Sequence, residues 1–591
     1  MIDVRSRATC WLAVTWLLAA SPLGVQADDE KAYRVEWHGV MDTGDRVFRF
    51  VIESSREAVD RETHWLRSLD EGNARFRLDP YSLEGGRMAF ALPQTVAEYS
   101  GDLSEDARRA AGNWKQRGAS FTLVFDRVER EPDVAILESW VGTLDLVVRK
   151  IQIRFRVLPG NEGGPPLVLM DSVTQRAGGF RCERTIDGSK WTIRVPGIRG
   201  TFTGEFDDQR KEVRGSWAQS GIPLPITLTQ GEAADPGPPP RPNRPQTPKA
   251  PFPYAVEPAE FASRDADVVL RGTLTLPAGD DGGPCAAVVL ISGSGPQDRD
   301  ETIFDHKPFW VIADHLTRRG IAVLRYDDRG VGESKGDAAS ATSEHFARDV
   351  DGAIDFLRKH ARIDGERIGL IGHSEGAIIA PLVATRRPDV AFVVLLAGPG
   401  VPGDRILRSQ GELGLKATGL ATEEALRLQR VAQDAILDAV LAATPDESND
   451  DVAKRAVERA RRDVSEAVFT SAGLDAAIPQ GVAQLRLPWF RFFLSHDPAP
   501  VLRELRCPVL SLHGARDTQV DPELNAPVIR QSLTDGGNRA FEVTILPELN
   551  HLFQTSKTGG VGEYASIEET IAPAALDALT RWITERTSRA P

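Results

Sequence analysis

Five residues around a serine, Gly372-His373-Ser374-Glu375-Gly376, carry the first chemical signal in this chain. A serine with glycine two places away on each side suits a sharp strand-to-helix turn that lifts its hydroxyl clear of a sheet. The glycines let neighbouring backbone approach closely. The surroundings agree: RIGLIG leads in with the pattern of a buried strand, and AIIAPLVATRR leads out as a helix. A second match, Gly332-Glu333-Ser334-Lys335-Gly336, follows a strand that ends near Tyr326 and runs on into GDAASATSEH. Without a strand-to-helix turn, Ser334 reads as an ordinary loop serine.

A serine hydroxyl needs a base to take its proton, and the base needs an acid to orient it. For a serine on such a turn, the acid and then the histidine follow in chain order. Three histidines lie well downstream. His496 sits in a charged helical stretch, and His513 ends a strand. His551 lies in PELNHLF, after the strand FEVTIL, and is the expected base. CPVLSLHGARDTQVDP offers Asp517 and Asp521 as the acid. Asp517, just beyond the strand end, is preferred; Asp521 precedes a proline and suits a cap. Two backbone amides should meet the oxyanion that forms on the attacked carbonyl. One is that of Glu375. The other comes from the loop SGSGP after an early strand, where Ser294 is the expected donor and Gly295 the alternative. Together these groups suit two-step acyl transfer through an acyl-serine.

The elements that would hold these residues begin near Tyr254, where short apolar runs alternate with amphipathic helical patterns. AAVVLISGSG, IAVLRYDDRG, RIGLIGHSEG, VAFVVLLAG, CPVLSLHG and FEVTIL suit strands buried on both faces of a mostly parallel sheet. Phe346, Val350, Ile354 and Leu357 form an apolar helical stripe ahead of the Ser374 strand. From about Gly400 to Arg506 the alternation breaks into charged helical sequence, which predicts a helical lid inserted in a catalytic domain of residues 254–591.

Ahead of that domain lies a proline-rich stretch, residues 231–253, predicted to be an extended, semi-rigid spacer. Before it the sequence repeats itself. Trp37-His-Gly39 returns as Trp140-Val-Gly142, YSGDL as FTGEF, and GNWKQRG as GSWAQSG, each 103 residues on. A constant offset signals a duplicated unit. Alternating segments such as KIQIRFR predict two small antiparallel β modules, residues 31–130 and 131–230, built as barrels or sandwiches. Trp114 and Trp217 suit either ligand platforms or shared core aromatics, and a residue common to both copies favours the core.

The N-terminus carries Arg5 and Arg7, an apolar run from Cys10 to about Ala20, and small or aliphatic residues before an acidic stretch. This is the order of a signal peptide, expected as residues 1–27, and it predicts a periplasmic or secreted protein. The apolar run is short for a membrane span. Net charge is −14, or −15 once a leader holding Arg5 and Arg7 against Asp3 is removed, which argues against nucleic acid as a partner. Cys182, Cys285 and Cys507 are an odd, widely spaced set expected as buried thiols rather than a disulfide framework, and no metal-ligand spacing is present.

The segment GSGPQDRDETIFDHKPFWVIADHLTRRGIAVLRYDDRGVGES from Gly293, with GHSEG, HGARDTQV and LNHLFQ, resembles a family of bacterial α/β-hydrolase carboxylesterases related to the serine aminopeptidase-type hydrolases. The resemblance spans roughly residues 255–591. It implies the α/β-hydrolase fold, hydrolysis of short acyl esters, no cofactor, a lid and a small-molecule substrate. GTFTGEF…GSWAQSG resembles an accessory region found before such domains, here duplicated. An amide hydrolase such as an aminopeptidase would use the same triad. A binding protein with a dead hydrolase domain is the reading from another class, and the complete Ser–Asp–His order argues against it.

Overall fold

The computed structural model describes residues 34–588 apart from 59–60, 72–73, 93–96, 117–118, 129–134, 147–148, 161–163, 176, 199, 220–221, 232–242, 266, 279–283, 339, 420 and 473. The expected signal peptide lies outside the described residues. The chain divides into two compact units: residues 1–239 with 465–477, and residues 240–464 with 478–591. The two β copies share one unit, and thirteen residues of the helical insertion group with them.

The first copy is a nine-stranded antiparallel sheet and the second a closed eight-stranded barrel. The extra strand comes from one break. In the second copy Ala177–Asp187 is continuous, pairing with Leu167–Ser172 through its first half and with Lys190–Val195 through its second. Its counterpart 103 residues earlier is split into Ala74–Arg77 and Tyr81–Glu84, which pair with Arg61–Ser68 and Arg87–Leu92 respectively. Pro80 lies at the break and has no amide hydrogen to give a ladder. The repeated aromatics Trp37 and Trp140, Tyr99 and Phe202, and Trp114 and Trp217 are all buried in the two cores, so the tryptophans are core residues and not ligand platforms. Gly101 faces Gly112 across one ladder, and Gly204 faces Gly215 across its repeat. A Cβ on Gly112 would stand 2.1 Å from Ser100 O and one on Gly215 2.0 Å from Thr203 O. Both copies therefore bring paired strands together where only glycine fits. Between the copies, Arg156 is buried with its guanidinium 2.6 Å from Asp171 and 3.6 Å from Asp70 of the first copy.

In the second unit the predicted alternation becomes one eight-stranded sheet. Its strands are β1 (Tyr254–Ala262), β2 (Val269–Pro277), β3 (Cys285–Ile291), β4 (Ala322–Tyr326), β5 (Ile363–His373), β6 (Phe392–Leu396), β7 (Val509–Gly514) and β8 (Phe541–Leu546). They lie in the order β1-β2-β4-β3-β5-β6-β7-β8. Strand β2 runs antiparallel to both its neighbours, and every pair from β4 to β8 along the sheet is parallel. Two apolar cores line the sheet faces. Val350, Ile354 and Leu357 of the helix Ser343–Arg358 are fully buried in one, with Phe346 packed partly against it, as the stripe predicts.

Between β6 and β7 the described residues of the insertion form seven helices, from Gly403–Ala417 to Pro498–Glu504. Within the proline-rich stretch, residues 243–253 do not act as a spacer. Arg244 donates to the carbonyls of Phe304, Ala565 and Ile567, and Gln246 bonds the backbone of Thr570 and Ile571. This segment thus supplies donors to the carbonyl groups of those turns. The three cysteines are half-buried thiols, not fully buried ones, and burial pushes the Cys507 thiol up to about 11. Among the described residues no helix is long and apolar enough to cross a membrane, and no group of three or more His, Cys, Asp or Glu is placed to hold a metal ion.

Candidate active site

Strand β5 ends at His373 and the helix Gly376–Arg386 begins after only Ser374 and Glu375, so Ser374 occupies a very tight turn. Its φ is +54°, a left-handed value uncommon for a residue with a Cβ. Its amide donates to Leu396 O at 2.9 Å, tying the turn to β6. The two glycines of the motif are required by contact: a Cβ on Gly372 would stand 2.0 Å from Gly376 O, and one on Gly376 2.1 Å from Ile291 O. Ser374 is half-exposed while both neighbours are buried.

His551 and Asp517 come together from the loops after β8 and β7. His551 Nδ1 lies 2.8 Å from Asp517 Oδ2, with both side chains buried. The other carboxylate oxygen of Asp517 accepts the amides of Gln519 and Val520, which fixes its plane. The His551 ring lies 4.8 Å, centroid to centroid, from that of His373, the residue before Ser374. All three expected residues thus follow the C-terminal ends of parallel strands of one sheet, β5, β7 and β8, where ligands bind in open α/β sheets.

The loop after β3 packs against the turn: a Cβ on Gly293 would stand 3.3 Å from Ser374 Cβ. The backbone amides of Ser294, Gly295 and Glu375 donate to no acceptor among the described residues. Free amides on the serine turn and on the loop packed against it are suited to receiving an oxyanion.

The competing residues lie elsewhere. Ser334 is buried in a turn, donating to Asp327 O at 2.7 Å and accepting from the Arg271 amide at 2.9 Å. Asp521 caps the helix Pro522–Asp535, accepting from the Glu523 amide at 3.0 Å and from Ser409 Oγ at 2.9 Å. His513 is buried within β7 beside Ser511, and burial lowers its pKa to about 4. His496 follows the helix Pro488–Ser495 and stacks on Phe492.

Several neighbours of the site escaped the sequence. The Glu375 carboxyl is buried and accepts from Ser343 Oγ at 2.6 Å and from Trp489 Nε1, on the insertion, at 2.7 Å. Burial pushes it up to about 7 against the pull of those two bonds. Asp328 is held well above the usual carboxylate range by burial, although Ser292 Oγ and the Gln297 amide donate to it. Glu301 bonds His373 at 2.9 Å. Burial works to lower the His373 pKa, and the Glu301 carboxylate outweighs it and raises it. The acidic GSGPQDRDE segment was visible in the sequence, but nothing in its spacing pointed to His373.

Residues 307–555 match the serine aminopeptidase, S33 family. Esterase EstD of Thermotoga maritima is 28% identical over 341 residues, covering 56% of this chain and 70% of the relative. Among solved structures, the α/β hydrolase GrgF from Penicillium aligns over 56% of this chain and 99% of its own at 16% identity, with a TM-score of 0.34. The Pyrococcus furiosus esterase Pf2001 aligns over 56% of this chain and 90% of its own at 15% identity and the same TM-score of 0.34. With its strand order and its serine turn, the C-terminal part of this chain has an α/β-hydrolase fold carrying a serine aminopeptidase S33-type domain, and its homology to esterase EstD supports a carboxylesterase-type hydrolase.

Proposed function

We propose that this chain is an exported serine esterase that cleaves short-chain carboxylic esters through an acyl-enzyme on Ser374. The observation that carries the reading is the 2.8 Å contact of His551 Nδ1 with Asp517, beside a serine at φ +54°. Asp517 holds the imidazole with its proton on Nδ1, leaving Nε2 free as a base. His551 takes the Ser374 proton as the oxygen attacks the ester carbonyl. The oxyanion rests on the Glu375 amide and that of Ser294 or Gly295. Collapse expels the alcohol, which leaves with the proton from His551. Water, deprotonated by His551, then attacks the acyl-serine and releases the acid.

Ser374→Ala tests this directly. Turnover of p-nitrophenyl acetate and butyrate should fall by at least about 10³-fold, with loss of fluorophosphonate labelling. Near-full turnover in Ser374→Ala, with loss in Ser334→Ala, would sink the assignment.

A second reading is an amide hydrolase, favoured by the serine aminopeptidase description of the matching family. A paired assay with an aminoacyl anilide and a short ester separates the two. Export rests on Arg5, Arg7 and the apolar run behind them. A secreted product beginning near Asp28 supports it, and a cytoplasmic product that keeps Met1 counts against it.

A further inference from the structure

Glu301 stands where three loops of the proposed site meet. Its Oε1 accepts the Gly293 amide at 2.7 Å and lies 2.9 Å from His373 Nδ1. The other ring nitrogen, His373 Nε2, lies 3.0 Å from the backbone oxygen of His551. Each of these partners is next to, or part of, a proposed reacting group. Gly293 precedes Ser294 of the oxyanion loop. His373 precedes Ser374. The carbonyl belongs to the proposed base itself.

The protons on this chain of contacts can be counted. A carbonyl oxygen only accepts, so His373 Nε2 carries a hydrogen. One proton must also lie between Nδ1 and Oε1, because two bare lone pairs at 2.9 Å would repel. Whether it sits on nitrogen or oxygen, the pair is neutral as a whole and both ring nitrogens are engaged. Glu301 and His373 are both buried, so solvent offers no ready replacement for either bond. The backbone of Glu301 is itself in the left-handed region, at φ +51°, with its amide held by Asp298 O at 2.9 Å. Such a conformation persists in a non-glycine residue only where surrounding contacts demand it. Gly293 shows how close the packing is: a Cβ there would stand 3.2 Å from Glu301 Oε1 and 3.5 Å from His373 Nδ1.

We propose that Glu301 is a positioning residue for the reaction. Through the Gly293 amide and His373 it fixes the spacing between the oxyanion loop, the Ser374 turn and the His551 backbone. The inference rests on the Ser374–Asp517–His551 reading. Glu301 touches no reacting atom, and its effect passes through its two partners.

Glu301→Gln in the full chain tests it, with p-nitrophenyl butyrate as substrate and fluorophosphonate titration to count competent sites. Glutamine has the same length, but its oxygen cannot hold a proton against His373 while accepting from Gly293. Displacing reacting groups by a fraction of an ångström predicts a fall in kcat per titrated site of about 10- to 100-fold, with KM within about twofold. Because Glu301 and His373 act as one unit, Glu301→Gln combined with His373→Asn should be no slower than the worse single variant. A purely structural role would lower the number of titrated sites and leave kcat per site unchanged, and that result overturns the proposal. Should the Glu301 and His373 variants fail to fold, proton NMR of the unaltered protein and of Asp517→Asn decides. Two far-downfield ring protons are expected, one lost in Asp517→Asn and one retained; a single signal lost in Asp517→Asn overturns it. Ser374→Ala separates the two levels. If that variant is inactive and Glu301→Gln keeps its kcat, only the positioning role falls. If Ser374→Ala is active, the triad reading and the positioning role fall together.

Discussion

Trp489 Nε1, on the helix Pro488–Ser495 of the insertion, donates at 2.7 Å to the carboxyl of Glu375, the residue directly after the proposed nucleophile. Ser343 Oγ donates to the same oxygen at 2.6 Å. The insertion is therefore tied to the serine turn through a buried acid.

That acid predicts a pH dependence of stability. Burial raises Glu375 from 4.5 to about 7 in the folded chain. Between those values the folded state binds more protons than the unfolded state, so stability falls as pH rises through the window. The loss is of order 3 kcal/mol at most. Glu375→Gln keeps an oxygen for both donors and removes the ionisation. Urea denaturation from pH 4.5 to 8 should show a flatter profile for the variant and a gain above pH 7. Parallel profiles would count against it.

Asp517→Asn should cost about 10³- to 10⁴-fold in kcat, with KM little changed. The asparagine oxygen can still accept from Gln519 and Val520 as Asp517 does. Its amide nitrogen would then face His551 Nδ1 and place the histidine proton on Nε2, the wrong tautomer to take one from serine. Steady-state kinetics on p-nitrophenyl butyrate measure the split.

Ser334→Ala should behave in the opposite way. It removes a donor to Asp327 O and an acceptor for the Arg271 amide, both within a buried turn. The expected cost is about 1–3 kcal/mol of stability, with fluorophosphonate labelling retained. The denaturation midpoint and labelling stoichiometry test this together.

Gly112→Ala and Gly215→Ala should destabilise the β unit to a similar degree, by about 1–3 kcal/mol or more. In each a Cβ meets the backbone of the paired strand, Ser100 O at 2.1 Å or Thr203 O at 2.0 Å. Far-UV circular dichroism melts of the two variants should match. A large cost at one position alone would mean the two copies do not share this close approach.

The sequence by itself determined the parts that follow from local periodicity and motif. Short apolar runs ending in glycine-rich turns determined the parallel sheet, because strands buried on both faces leave no polar positions. GxSxG with a strand before and a helix after it singled out Ser374 over Ser334. The 103-residue offset determined the two β copies, and sharing between copies marked Trp114 and Trp217 as core. Other features depend on residues far apart in the chain, and only the tertiary structure decided them. Glu301 reaches His373 across 72 residues, and Trp489 reaches Glu375 across 114. Arg244 leaves the expected spacer to bond carbonyls more than 300 residues on. No period or spacing encodes such contacts, because a side-chain hydrogen bond depends on where the packed elements bring two groups, not on how the chain between them is patterned. The chemistry of the serine turn was thus local, while the burial that shifts Glu375 and the contacts that hold His373 exist only once the sheet, its loops and the insertion have assembled around them.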